Sequence, residues 1–187
     1  LLDTSDEWIR PRTGIRERRV ATKETVLDLA LAAARNALDS SGIGPEELDC
    51  ILCATLRGDY FTPSLACLLQ GALGADCPAF DINGACSGFL YALDVADCYF
   101  ARGKAQKIMV VAAEMMSKLV DWKDRSTCVL FGDGAGAVVL GPGNDLLSIK
   151  VTAKGGAELL RAPNVHGNSP FDETEELPCV VYMNGQE

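Results

Sequence analysis

The segment Asp81-Ile82-Asn83-Gly84-Ala85-Cys86-Ser87-Gly88-Phe89 sets one cysteine among small residues, where an apolar strand gives way to a helix. A cysteine in the first turn of a helix meets unpaired backbone N–H groups and the positive end of the helix dipole, and both favour the thiolate. Gly84, Ala85, Ser87 and Gly88 are expected to leave room for a substrate carbonyl to reach the sulfur. Covalent catalysis through a thioester is therefore open to Cys86. The plainer alternative is an inert cysteine packed under a tight strand–helix turn; the small flanking residues favour chemistry.

Two enzyme classes use such a thiol. Gly84-x-Cys86-x-Gly88 mimics the nucleophile elbow of α/β-hydrolases, with Cys in place of Ser. That reading needs a base, and the single histidine, His166, lies in a polar loop over residues 163–168, where an idle exposed side chain is the commoner outcome. The other class is acyl transfer in the thiolase manner, with the partner bases elsewhere.

A second candidate is basic. Five arginines (Arg10, Arg12, Arg16, Arg18 and Arg19) and one glutamate fall within residues 10–19, while Asp172, Glu173, Glu175 and Glu176 crowd the other end. Such a cluster is commonly a solvated surface. The sharper reading is an anion site, because guanidinium forks match phosphate. Trp8 adds a flat face on which an adenine or a guanidinium can stack. Together they point to a phosphorylated, aromatic-headed ligand such as a nucleotide or coenzyme A.

The other candidates are weaker. Eight cysteines stand at 50, 53, 67, 77, 86, 98, 128 and 179. Most sit inside apolar runs and read as small buried hydrophobes, reduced in a cytoplasmic setting. Cys50 and Cys53 have the gap of a zinc or redox pair, but in a strand positions three apart face opposite sides, so no metal site is expected. Residues 131–137 contain G-x-G-x-G without the Lys-Ser/Thr of a phosphate loop and without a following helix. A tight hairpin turn that lets backbone pass close is the better reading.

These residues need positioning elements. Apolar periodicity and glycine stops predict helices over residues 26–41, 63–72 and 86–101. Apolar runs predict strands over 50–55, 79–82, 108–113, 128–131, 135–140, 147–151 and 179–183. Strand–helix alternation with continuous apolar strands means an α/β fold whose mostly parallel sheet is covered on both faces. The chain has 187 residues, 48% hydrophobic and 23% charged, with a net charge of −9. That composition is globular, and the acidity argues against nucleic acid. No apolar run approaches the roughly 18 residues of a membrane span, and the acidic start does not resemble a signal peptide. Because the sequence begins at Leu1 and stops after a strand-like run, a piece of a longer chain is expected.

Four ordered motifs carry a specific resemblance: Asp3-Thr4-Ser5-Asp6-Glu7-Trp8-Ile9, Arg12-Thr13-Gly14-Ile15-Arg16-Glu17-Arg18, Ala85-Cys86-Ser87-Gly88-Phe89 and Phe131-Gly132-Asp133-Gly134-Ala135-Gly136. Across its whole length the chain resembles β-ketoacyl-acyl-carrier-protein synthase III, an initiating condensing enzyme of fatty-acid synthesis. The resemblance implies a thiolase-like fold of two related α/β halves, with residues 1–187 as the N-terminal half lacking its first strand. It implies that Cys86 is the acyl-accepting nucleophile, and that Thr4, Trp8 and Arg12 hold coenzyme A, with Arg125 stacking the adenine from the other side. Leu56, Met116 and Phe131 would line the acyl pocket, and Thr62 would reach the base of a partner subunit's pocket. There some relatives carry Phe, so Thr62 hints at a roomier primer site. Met183 and Gly185 would border the coenzyme A tunnel. The family's catalytic His and Asn match no residue here. Acyl-coenzyme A and malonyl-acyl-carrier protein are the implied substrates, with no cofactor, in a cytoplasmic homodimer without nucleic-acid or membrane partners. Rival readings are a secondary-metabolism acyltransferase, a hydroxymethylglutaryl-coenzyme A synthase-like enzyme, a Cys-nucleophile hydrolase, and a non-catalytic zinc or thiol module.

Overall fold

In the computed structural model the described residues are 2–164 and 170–184. The described residues pack as two compact units, one drawn from residues 2–20, 115–133, 153–164 and 170–184, the other from residues 21–114 and 134–152.

The second unit is built on a four-stranded sheet of β1 (Cys50–Ala54), β2 (Ala79–Ile82), β3 (Ile108–Met115) and β4 (Asp133–Leu140), in the order β2-β1-β3-β4. The terminal residues of β3 and β4 fall in the other unit. β1 runs parallel to β2, Ile51 opposite Ala79, and parallel to β3, Cys50 opposite Ile108. Every residue of β1 is buried, as its unbroken Cys-Ile-Leu-Cys-Ala run requires of a central parallel strand. The helices are α2 (Val26–Ser41), α3 (Leu65–Leu73) and α4 (Gly88–Ala101). α4 buries Gly88, Ala92 and Ala96, four residues apart; Ala92 and Ala96 lie against Cys50, Leu52, Ile108 and Val110, and Gly88 against Ala54. α3 packs on β1 and β2, and α2 packs on α3. The predicted α/β layering is thus present.

Caps explain where these helices begin. The Thr25 hydroxyl and the Asp28 carboxylate form a reciprocal box at the start of α2. Asp59 adds a distant cap, its two oxygens accepting from the Val26 and Leu27 N–H groups at 2.9 Å each. At α3, Ser64 accepts from the Cys67 N–H, and Asp81 of β2 accepts from the Leu65 and Ala66 N–H groups at 2.9 and 2.8 Å.

The first unit begins with α1 (Asp6–Thr13), capped by the Ser5 side chain and closed by Gly14 at φ 72°. The charge cluster expected over residues 10–19 thus begins inside a helix, whose two ends Ser5 and Gly14 mark. Ile9 is buried with Val120, Cys128 and Val129. Three expected strands change. Residues 128–131 form turns, with the Cys128 N–H bonded to the Asp124 carbonyl and the Leu130 N–H to the Thr127 carbonyl. Residues 147–151 have no strand partner, and of residues 179–183 only β6 (Tyr182–Met183) is a strand, antiparallel to β5 (Leu160–Arg161). Short apolar runs bury equally well in turns, so periodicity alone misassigns them. The predicted hairpin over 131–137 is also corrected: Gly134 and Gly136 lie inside β4. The expected close approach holds at Gly132, where a Cβ would come 3.0 Å from the Arg19 carbonyl.

Truncating Asp81→Ala strips two N–H groups of α3 of their acceptor and is expected to cost about 1–2 kcal/mol. Urea unfolding reads this as a lower midpoint at constant slope. An unmoved midpoint would mean that water replaces the carboxylate without loss.

Candidate active site

Cys86 lies on a single 3₁₀ turn, Ala85–Ser87, that runs directly into α4, so the helix proper starts two residues later than expected. The side chain is exposed. Ala85 holds φ +45°, a left-handed conformation that strains a residue with a Cβ, immediately before the thiol. α4 is the one helix among the four without a side-chain cap at its start. The flanking glycines serve packing rather than leaving open space. A Cβ on Gly88 would lie 3.2 Å from the Ala54 Cβ, and one on Gly84 would lie 2.4 Å from the Tyr91 ring. Their missing side chains let α4 sit on β1 and aim the thiol outward.

The other cysteines divide by burial. Cys50, Cys53 and Cys128 are buried, but Cys67 and Cys98 are exposed, against the expectation that most are interior. Burial pushes the Cys50 thiol up to about 11 and raises Cys53 further, so both stay protonated in the core. Consecutive alternation puts them on opposite faces of β1.

Next to the Cys86 turn, three strand ends meet at one peptide. The Leu56 N–H, just beyond β1, donates to the Glu114 carboxylate near the end of β3. The Leu56 carbonyl accepts from the Asn83 side chain at 3.4 Å, just beyond β2 and three residues before Cys86. The second oxygen of Glu114 is buried without a hydrogen-bond partner, and burial pushes this carboxyl up to about 7. Sequence reasoning missed Glu114 and Asn83. Glu114 is the only charged residue of β3, Ile108–Met115, and that was its one signal. Of the other expected pocket residues in this unit, Thr62 is exposed in the loop after Leu56.

In the first unit, Trp8 carries two cations. The Arg12 guanidinium carbon lies 4.5 Å from the ring centroid and that of Arg125 lies 5.1 Å from it. Arg12 also donates to the Trp8 carbonyl at 2.9 Å, and Arg125 to the Asp3 carbonyl at 3.2 Å. An aromatic ring held between Trp8 and Arg125 needs about 7 Å, two van der Waals gaps, so Arg125 must swing out by about 2 Å to admit one. The Thr4 hydroxyl is buried without a partner. The arginine cluster does not act as a unit: Arg18 binds the Val129 carbonyl, Arg10 pairs with Asp6 and Arg19 with Glu17. Met116 opens a turn whose next residue, Ser117, bonds Asp133 through both its N–H and its hydroxyl. Phe131 is half-buried against the Ile9 cluster, and Met183 pairs with Leu160. His166 and Gly185 lie outside the described residues. Among the described residues no group of His, Cys, Asp and Glu is placed to hold a metal, and no helix is long and apolar enough to cross a membrane.

A family model described as 3-oxoacyl-[acyl-carrier-protein] synthase III matches residues 80–155. The chain is 53% identical over 169 residues to the beta-ketoacyl-[acyl-carrier-protein] synthase III of Aquifex aeolicus, covering 88% of this chain and 55% of that protein. It is 52% identical over 191 residues to the protein of that name from Xanthomonas campestris, covering all of this chain and 59% of that one. The crystal structure of the Aquifex aeolicus 3-oxoacyl-[acyl-carrier-protein] synthase III superposes with a TM-score of 0.87 at 48% identity, over 98% of this chain and 57% of that one. The chain therefore spans less than two thirds of the length of these relatives. The expected resemblance and the expected thiolase-like α/β fold are both borne out.

Glu114 sets a pH dependence. From an ordinary value of 4.5 its carboxyl rises to about 7, so between those values the folded chain keeps a proton that the unfolded chain has released. Stability from this group falls as pH rises through that window and is level outside it. Glu114→Gln is neutral throughout and should gain about 1–2 kcal/mol on wild type between pH 5 and pH 8, allowing for water at this half-exposed site. Urea unfolding of both proteins at the two pH values measures the gain; a difference independent of pH would contradict the raised carboxyl.

Proposed function

We propose that this chain is the nucleophile-bearing part of a β-ketoacyl-acyl-carrier-protein synthase III that takes an acyl group from acyl-coenzyme A. The observation that carries the reading is the exposed Cys86 on a strained turn at the uncapped start of α4. Its setting resembles the carboxyl edge of other parallel α/β sheets, where substrates bind. The Cys86 thiolate attacks the thioester carbonyl, the carbon–sulfur bond to coenzyme A breaks, and coenzyme A leaves as its thiolate, which takes a proton from water. In the whole protein, malonyl-acyl-carrier protein then loses CO2, and the resulting carbanion attacks the Cys86 thioester. Sulfur leaves as thiolate and 3-ketoacyl-acyl-carrier protein is released. Acyl-coenzyme A is a substrate, and the reaction calls on no resident cofactor.

Trp8, Arg12, Arg125 and Thr4 are proposed to hold the nucleotide end of coenzyme A, on the strength of the cation-bearing ring and the unpartnered hydroxyl. Leu56, Thr62, Met116 and Phe131 are proposed to line the acyl pocket. Eight cysteines, none of them in a disulfide, suit a reducing, cytoplasmic setting. The zinc reading has less support, because Cys50 and Cys53 face opposite sides of a buried strand.

Intact-protein mass spectrometry tests the chemistry. Acetyl-coenzyme A should add one acetyl mass to the full-length protein and none to Cys86→Ser, because an alcohol is scarcely ionised at neutral pH. Trp8→Ala should slow acylation at limiting acetyl-coenzyme A by roughly tenfold, yet leave acylation by acetyl-pantetheine unchanged. Acetylation of Cys86→Ser would remove the nucleophile from this site.

We further propose a homodimer. β2 is an edge strand, only half-buried, and the nearby loop projects Tyr60 and Phe61 at 63% and 76% exposure, with Thr62 beside them. Two copies joined edge to edge about a two-fold axis would cover both features. Sedimentation should give twice the chain mass, and Phe61→Asp should shift it towards monomer; a wild-type monomer at tens of micromolar would end this pairing.

A further inference from the structure

Leu56 stands at the meeting point of three strand ends, and both halves of its backbone are held by side chains from the other two. Its N–H is held from β3 by Glu114, and its carbonyl from the end of β2 by Asn83, at 3.4 Å. Thr55, one residue earlier, still follows the sheet, its N–H bonded to the Ile82 carbonyl at 3.3 Å. Leu56 is therefore the first residue past the β1–β2 ladder. Three residues on, Asp59 ties the same loop to the start of α2. Between the two anchors lie Arg57 and Gly58; beyond them the chain turns out to Tyr60, Phe61 and Thr62.

The anchor at Glu114 is an unusual choice. A half-buried carboxyl in an otherwise apolar strand is unfavourable, and one oxygen finds no partner at all. A Gln in its place would meet the Leu56 N–H through a neutral oxygen. Groups retained against their own solvation are commonly those that fix a geometry. What they hold here is the Leu56 peptide, and the second clamp, Asn83, leads into the Cys86 turn through Gly84 and Ala85.

We propose that Glu114 and Asn83 are positioning residues that set the acyl-chain length accepted at Cys86, by fixing the Leu56 peptide and with it the Leu56 side chain. The inference rests on the reading of Cys86 as an acyl acceptor and of Leu56 as part of its pocket. Neither Glu114 nor Asn83 takes part in bond making. Each acts through Leu56, and releasing either clamp gives the loop room to yield to a longer acyl chain.

The test uses the full-length protein and rates of acylation at Cys86, followed by intact-protein mass spectrometry, with acetyl-, butyryl- and hexanoyl-coenzyme A. Glu114→Ala should raise the hexanoyl-to-acetyl rate ratio by about fivefold, the worth of one lost hydrogen bond. Glu114→Gln retains an acceptor for the Leu56 N–H and should stay within about twofold of wild type. Asn83→Ala, at an exposed position, should shift the ratio in the same direction and serves if Glu114→Ala does not fold. In a Leu56→Ala background, Glu114→Ala should add less than about twofold, because the side chain being positioned is gone. Uniform slowing of all three primers, an unchanged ratio, or the same shift without the Leu56 side chain would each overturn the positioning role. A wild-type protein that takes up no acyl group would instead overturn the acyl-acceptor reading, and this inference with it.

Discussion

Parallel strands joined by helices bring the helix starts to the carboxyl edge of the sheet, and each start carries backbone N–H groups with no partner inside its helix. The second unit of this protein is organised by how those groups are met. α2 receives Thr25, Asp28 and Asp59; α3 receives Ser64 and Asp81. Two of these carboxylates come from far along the chain, so each cap is also a tie between elements: loop to α2, and β2 to α3. α4 alone receives no side chain, and the residue that stands where a cap would be sought is next to Cys86. At α4 the first N–H groups turn instead to backbone: the Ser87 N–H meets the Gly84 carbonyl and the Gly88 N–H the Ala85 carbonyl, so a 3₁₀ turn carrying Cys86 does there what side chains do at the other helix starts.

Much of this was readable beforehand. The buried run of β1, the alanine stripe of α4 and the glycine stops at Gly42 and Gly74 are local signals, and each element formed within a residue or two of its expected bounds. Cys86 was legible for the same reason, since its neighbours alone define a strand-to-helix turn. The role of the glycines beside it was not. Whether Gly84 and Gly88 make room for a substrate or for Tyr91 and Ala54 depends on what lies across the turn, which no local pattern reports. Residues 128–131 and 147–151 failed as strands because an apolar run states that a segment is buried, not in which geometry. Glu114 and Asn83 escaped notice because their partner, Leu56, is separated from them by 58 and 27 residues.

The turn before Cys86 also shows where the fold tolerates strain. Ala85 keeps a left-handed backbone that glycine would adopt freely, at a cost on the order of 1 kcal/mol. It is held there from both sides, by the Tyr91 ring over Gly84 and by the Ala54 contact of Gly88. A glycine at residue 85 would relax the strain but loosen the peptide that carries the thiol, so the stiffer residue keeps the sulfur's direction defined.

Trp8 is never a bare ring in this chain. With Arg12 and Arg125 already against it, a planar ligand that stacks on a face either guanidinium covers competes with the protein's own cation. A partly exposed contact of this kind is worth about 0.5–1 kcal/mol, so self-occupancy weakens the apparent affinity of such a ligand by only about two- to fivefold. A ligand that also brings a phosphate can engage the displaced arginine and recover the difference, whereas a plain aromatic cannot. Under the proposed role in holding coenzyme A, Trp8 and its cations would select for charge as well as for shape.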